Sequence, residues 1–115
     1  MTLDARALVA IACKEPGFER FVEVIAEDQN PRVVATAVAE AAIILTARGE
    51  SIAYLLLQIL IDRLGLTVVP FTKEHWKGAV DEYERMAKPG SGERPAFGRC
   101  LSKAVAAKLG APMIE

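Results

Sequence analysis

The chain has 115 residues, 52% hydrophobic and 25% charged, with a formal net charge of -1. That is enough for one domain with a single core, and it excludes a disordered chain and a globally basic nucleic-acid coat, though not a local basic groove. The most apolar run, 52–61, is followed by Asp62 and Arg63 and falls far below a membrane span, which needs ~20 residues.

In chain order, residues 1–3 are expected to be a very short extended start running straight into Asp4. Residues 5–13 read as an alanine- and leucine-rich helix, punctuated by Pro16 and Gly17. Phe18, Phe21, Val22 and Ile25 stand at helical spacing and predict a second helix, broken at Asn30 and Pro31. Val33 and Val34 suit a short buried strand, after which Thr36 is the expected N-cap of a helix over 37–47. Ser51 is the expected cap of the next helix, which stops at Gly65, and residues 67–71 read as a third strand. Thr72 is expected to cap a helix through about residue 87, and the proline- and glycine-rich stretch 88–95 is a loop. A helix over 97–109 ends at Gly110, and 111–114 reads as a last buried strand. Short apolar strands separated by helices predict an α/β fold, a three-layer α/β/α sandwich on a parallel sheet of about four strands. Sites in such sheets form at the carboxyl ends of the strands, which is where Asp4 falls.

Three segments together resemble the PIN domain, and within it the VapC-type toxins of bacterial toxin–antitoxin pairs. They are Leu3-Asp4-Ala5-Arg6-Ala7-Leu8, then Thr36-Ala37-Val38-Ala39-Glu40 with the apolar run after it, and Phe97-Gly98-Arg99-Cys100-Leu101-Ser102 followed by Lys108-Leu109-Gly110-Ala111-Pro112. The resemblance covers essentially the whole chain, as one PIN-like domain over 1–115 that lacks the family's last strand. It implies a Mg²⁺- or Mn²⁺-dependent endoribonuclease, with Asp4 and Glu40 as catalytic and metal-holding residues. Hard divalent cations take carboxylate oxygens, and a bound ion activates water and neutralises phosphate charge.

The sequence departs from that pattern. Arg99 stands where the family has its third acid, Arg6 replaces a usual Ser or Thr, and the chain given ends at Glu115 before the position of a fourth acid. A guanidinium about 5 Å from a divalent ion repels it by roughly 6–7 kcal/mol at an effective dielectric of ~20. Even a third of that costs more than tenfold in affinity. The expectation is that Arg99 pairs with Asp4 or Glu40 in place of the ion. Arg6 points either into the cleft or to solvent, and Glu93 is a candidate substitute ligand. The chain is then either a weak RNA-cleaving enzyme or a non-catalytic antitoxin- or RNA-binding protein; a decayed gene product without activity is the third alternative.

Other residues have plainer readings. Asp4 also suits an N-cap. His75 is expected in the first turn of an exposed helix, and Trp76, Tyr83 and Phe97 in core or interface packing. Cys13 and Cys100 form no disulfide framework or zinc cluster and read as small core residues, reduced in a cytoplasm. The helix over 51–64 is apolar on two sides, with Ile52, Leu55, Leu56, Ile59 and Leu60 on one and Tyr54, Leu57 and Ile61 on the other. The second side is covered by a neighbouring helix or by a partner, a homodimer mate or an antitoxin.

Overall fold

The computed structural model describes residues 1–114 apart from positions 91 and 93, so Glu93 and Glu115 lie outside the described residues. The elements are β1 (Thr2–Leu3), α1 (Ala5–Ala12), α2 (Phe18–Glu27), β2 (Arg32–Val34), α3 (Ala35–Ala47), α4 (Ala53–Leu64), β3 (Thr67–Val69), α5 (Trp76–Met86), α6 (Phe97–Leu109) and β4 (Met113–Ile114). Their kinds and order are those the sequence predicts. Four parallel strands lie in the order β3-β2-β1-β4. Leu3 is level with Val33 on one side and with Ile114 on the other.

A two-residue strand survives at the centre because both of its edges are paired. Thr2 and Leu3 are completely buried, and the Thr2 hydroxyl donates to the Ala111 carbonyl at 2.8 Å. Leu8, Val33, Val34, Leu57 and Val105 are also buried with 2% exposure or less. Small residues at Ala37 and Ala41 keep α3 close to α1, while α6 packs on both α3 and α5. Gly65 and Gly110 close α4 and α6 at φ 65° and 66°, a left-handed turn that glycine makes without strain, and return the chain to the sheet.

Local signals misplace the helix starts. Thr36 does not cap α3: β2 runs into the helix without a loop, Val34 takes the cap position, and Thr36 falls inside the first turn, its hydroxyl buried without a partner among the described residues. Ser51 lies in a turn before α4, whose cap position is Ile52. Thr72 closes a turn ahead of α5, its N–H donating to His75 Nδ1 at 2.9 Å while its hydroxyl accepts from the Glu74 N–H at 3.3 Å. His75 is the residue at the α5 N-cap position.

Two side chains calibrate the core. Leu8→Ala is expected to cost about 3 kcal/mol in urea unfolding, the usual result of emptying a closed site. Ser102 is fully buried and its hydroxyl has no partner among the described residues. Ser102→Ala should therefore be neutral or stabilising by up to about 1 kcal/mol, because it removes a dehydrated polar atom. A loss of 2 kcal/mol or more (roughly the cost of stranding a partner) would reveal a hydrogen bond at that hydroxyl.

Candidate functional site

The strand order places the site. From β1 the chain moves outward through β2 to β3, and then returns to the other side of β1 as β4. The connections diverge between β1 and β4, and a crevice opens at their carboxyl ends, as in other open parallel sheets. Asp4 follows β1 there and Ile114 ends β4; both line a pocket of about 370 Å³ that also contains Arg6, Glu15, Phe21 and Arg99.

Asp4 is only 6% exposed. Its backbone is extended, its Oδ1 accepts from the Ala5 N–H at 2.8 Å, and its carbonyl accepts from the Ala7 and Leu8 amides. It is therefore the helix cap and a member of the pocket at once. Glu40 comes from α3 and lines a neighbouring, mostly apolar cavity of about 430 Å³ with Thr36, Ile43, Phe97 and Gly98. Burial first, and then the charge of Asp4, push the Glu40 carboxyl above its ordinary value. Among the described residues no cation lies within 4.0 Å of either carboxylate.

Arg99 thus corrects one expectation. It lines the Asp4 pocket, but among the described residues it forms no ion pair with Asp4 or Glu40. Gly98 meets Glu40, and the next residue points about 100° further round α6, which turns Arg99 away from Glu40 and into the pocket of Asp4. Arg6 is exposed at the mouth of the same pocket.

Carboxylate oxygens suit a hard divalent cation, and two like charges held together are the arrangement such an ion relieves. Mg²⁺ commonly takes one or two carboxylates and keeps water or substrate phosphate for the rest. The pair fits an ion held in that loose way. No cluster of three or more His, Cys, Asp or Glu that could enclose one occurs among the described residues.

Other titratable groups do not join the site. Glu82 is buried but paired with Arg85 at 2.9 Å. Cys100 is buried as expected, and burial with the nearby Glu82 charge pushes its thiol pKa up, away from reactivity. Cys13 is exposed, against expectation, because α1 ends just before it; its sulfur lies 3.8 Å from Arg48 Nη1. Trp76, Tyr83 and Phe97 are exposed too, Phe97 at 77%, so none packs in the core.

The raised Glu40 value has a definite sign. A carboxyl whose pKa rises on folding gives stability that is full below its unfolded value and lost as pH climbs through the folded value. At neutral pH the Glu40 charge therefore opposes folding. Without divalent cations, Glu40→Gln should raise the melting temperature at neutral pH, and the gain should shrink as pH falls toward the ordinary value of 4.5. A margin that does not change with pH would show that the Glu40 charge carries no cost.

Comparisons with known proteins agree with the geometry. The PIN-domain family model matches residues 1–114. The chain is 32% identical over 107 residues to VapC ribonuclease Mb2004c of Mycobacterium bovis and, to the same extent, to ribonuclease VapC36 of Mycobacterium tuberculosis, covering 92% of this chain and 77% of each relative. Among solved structures, its fold is similar to VapC20 of Mycobacterium tuberculosis, a sarcin-ricin-loop-cleaving toxin, with a TM-score of 0.74 over 96% of this chain and 83% of that one. It is also similar to VapBC2 from Rickettsia felis bound to a DNA fragment from their promoter, with a TM-score of 0.75 over 99% of this chain and 85% of that one. Sequence identity to both structures is 15%, so they speak for the fold. With a parallel sheet of matching architecture, an acid at its switch point and a family match over nearly every residue, the chain belongs to the PIN-domain family.

Proposed function

We propose that this chain is a VapC-like endoribonuclease that cuts RNA phosphodiesters slowly, with Asp4 and Glu40 as the protein ligands of a weakly held Mg²⁺ or Mn²⁺. The observation that supports this reading is a carboxylate at the switch point, Asp4, whose charge reaches a second one, Glu40 on α3, and helps burial to raise its pKa. Such an ion, when bound, supplies an activated water and a counter-charge for phosphate. Asp4 presents a carboxylate whose one oxygen is fixed by the Ala5 amide. Glu40 brings a second carboxylate from α3, with a proton affinity already raised by its surroundings. Arg6 and Arg99 line the same pocket as Asp4. They attract a phosphate backbone and repel the ion, which favours RNA capture over turnover.

That charge balance also supports a second reading, a PIN-fold protein that binds an antitoxin or RNA without cutting. Under either reading the partner surface is the exposed apolar face of α3 and α4. On α3, Ile43 is 68% exposed; on and just before α4, Tyr54 is 74% exposed on one side and Ile52, Leu55 and Ile59 are exposed on the other. Apolar side chains in this number on a small domain mark an interface, and a homodimer mate or an antitoxin helix fits them.

Incubation of the protein with a mixed RNA pool and Mn²⁺, with and without EDTA, separates the readings. Slow cleavage that EDTA abolishes, and that Asp4→Asn and Glu40→Gln remove, is the expected result. No cleavage at any Mn²⁺ concentration favours the binding protein. Calorimetric titration tests the arginine: Arg99→Asp should tighten Mn²⁺ binding by about tenfold or more. An unchanged affinity would show that Arg99 does not oppose the ion.

A further inference from the structure

We propose that Gly98 is a positioning residue for Glu40: the space left by its absent side chain is where the Glu40 carboxylate lies, across the first turn of α6. The proposal rests on the reading of Glu40 as a ligand and adds how that carboxylate is held. A Cβ built on Gly98 collides with Glu40 Oε1 and falls 2.8 Å from Cδ and 3.1 Å from Oε2. Every atom named there belongs to one carboxylate. Gly78, on α5, differs: its Cβ would meet Ala104 Cβ at 3.4 Å, an ordinary contact between packed helices.

Three observations separate this from a glycine kept for the backbone. Gly98 is the second residue of α6 and is absent from the positive-φ glycines, so alanine is allowed there by conformation. The group it would strike is the far end of a flexible side chain, so a substituted chain folds and the carboxylate moves instead. The seat itself suits an anion, because the first turn of a helix carries unpaired N–H groups and the positive end of the dipole. α6 has no side-chain cap at its start, since Ala96 holds the cap position. The Glu40 carboxylate lies against Gly98 in that first turn, and it feels the charge of Asp4. Gly98 thus decides whether the acid from α3 stays near the acid from β1.

The test is a double-substitution cycle read in two ways. Melting temperatures are measured without metal for the parent, Gly98→Ala, Glu40→Ala and the double variant. Alanine ordinarily stabilises a helix relative to glycine. In the Glu40→Ala background, Gly98→Ala should therefore raise the melting temperature by about 3–5 °C. With Glu40 present, that gain should vanish or reverse. Mn²⁺ binding is then followed by electron paramagnetic resonance. Gly98→Ala should weaken it about tenfold, the scale for a lost supporting contact. The same substitution should cost nothing further in a Glu40→Asp background, where the carboxylate is one methylene shorter. Equal temperature shifts with and without Glu40 overturn the proposal, as does a Gly98→Ala chain that fails to fold in both backgrounds. Failure to fold only when Glu40 is present supports it. If no variant binds Mn²⁺, the ligand reading of Glu40 fails, and the temperature cycle still decides the role of Gly98.

Discussion

One carboxylate buried at the divergence of β1 and β4, and a second on α3 that feels its charge, are the constraint on which the site depends. Parallel strands with helical crossovers leave a crevice where the connections part, and the residue that follows β1 falls into it. Asp4 cannot retreat from that place. Its backbone is pinned by the buried pair Thr2 and Leu3 on one side and by the opening turn of α1 on the other. Glu40 approaches from a separate element and meets both a dehydrated environment and the Asp4 charge. The fold sustains this cost out of its core rather than relieving it locally.

The treatment of a second acid shows that the arrangement is not the general habit of this chain. Glu82 is buried nearly as deeply as Asp4, and Arg85 reaches it at 2.9 Å from one turn away. Glu40 has no such partner among the described residues, although Arg99 lines the adjoining pocket. One carboxylate is left to repel its neighbour while another is neutralised by an i,i+3 arginine, so the two buried acids are treated differently by the fold. Arg6 and Arg99 line the pocket of Asp4 as well, so the acid there sits among basic side chains.

The legible and illegible parts of the structure divide by range. The extent of α6, the stop at Gly65 and the four short strands followed from apolar spacing and from glycine, which act within a few residues. Thr36, Ser51 and Thr72 had the chemistry of caps, yet the helices began one to four residues later or earlier, because β2 enters α3 directly and turns precede α4 and α5. Cys13 read as a core residue and is exposed; Trp76, Tyr83 and Phe97 read as core or interface residues and are exposed, which removes the core. Hydrophobic character alone does not say which face of a helix the sheet covers.

What the sequence determined by itself was the kind and order of the elements and the family pattern, with Asp4 and Glu40 as the acids that pattern singles out. Each of these is carried by residue type and local spacing. Only the tertiary structure decided that Asp4 and Glu40 share an electrostatic environment, that Arg99 faces the first acid without pairing with it, and that Gly98 makes room for the second. Those are contacts between separate elements. Their distances depend on strand order and on helix rotation, which no local pattern of side chains encodes.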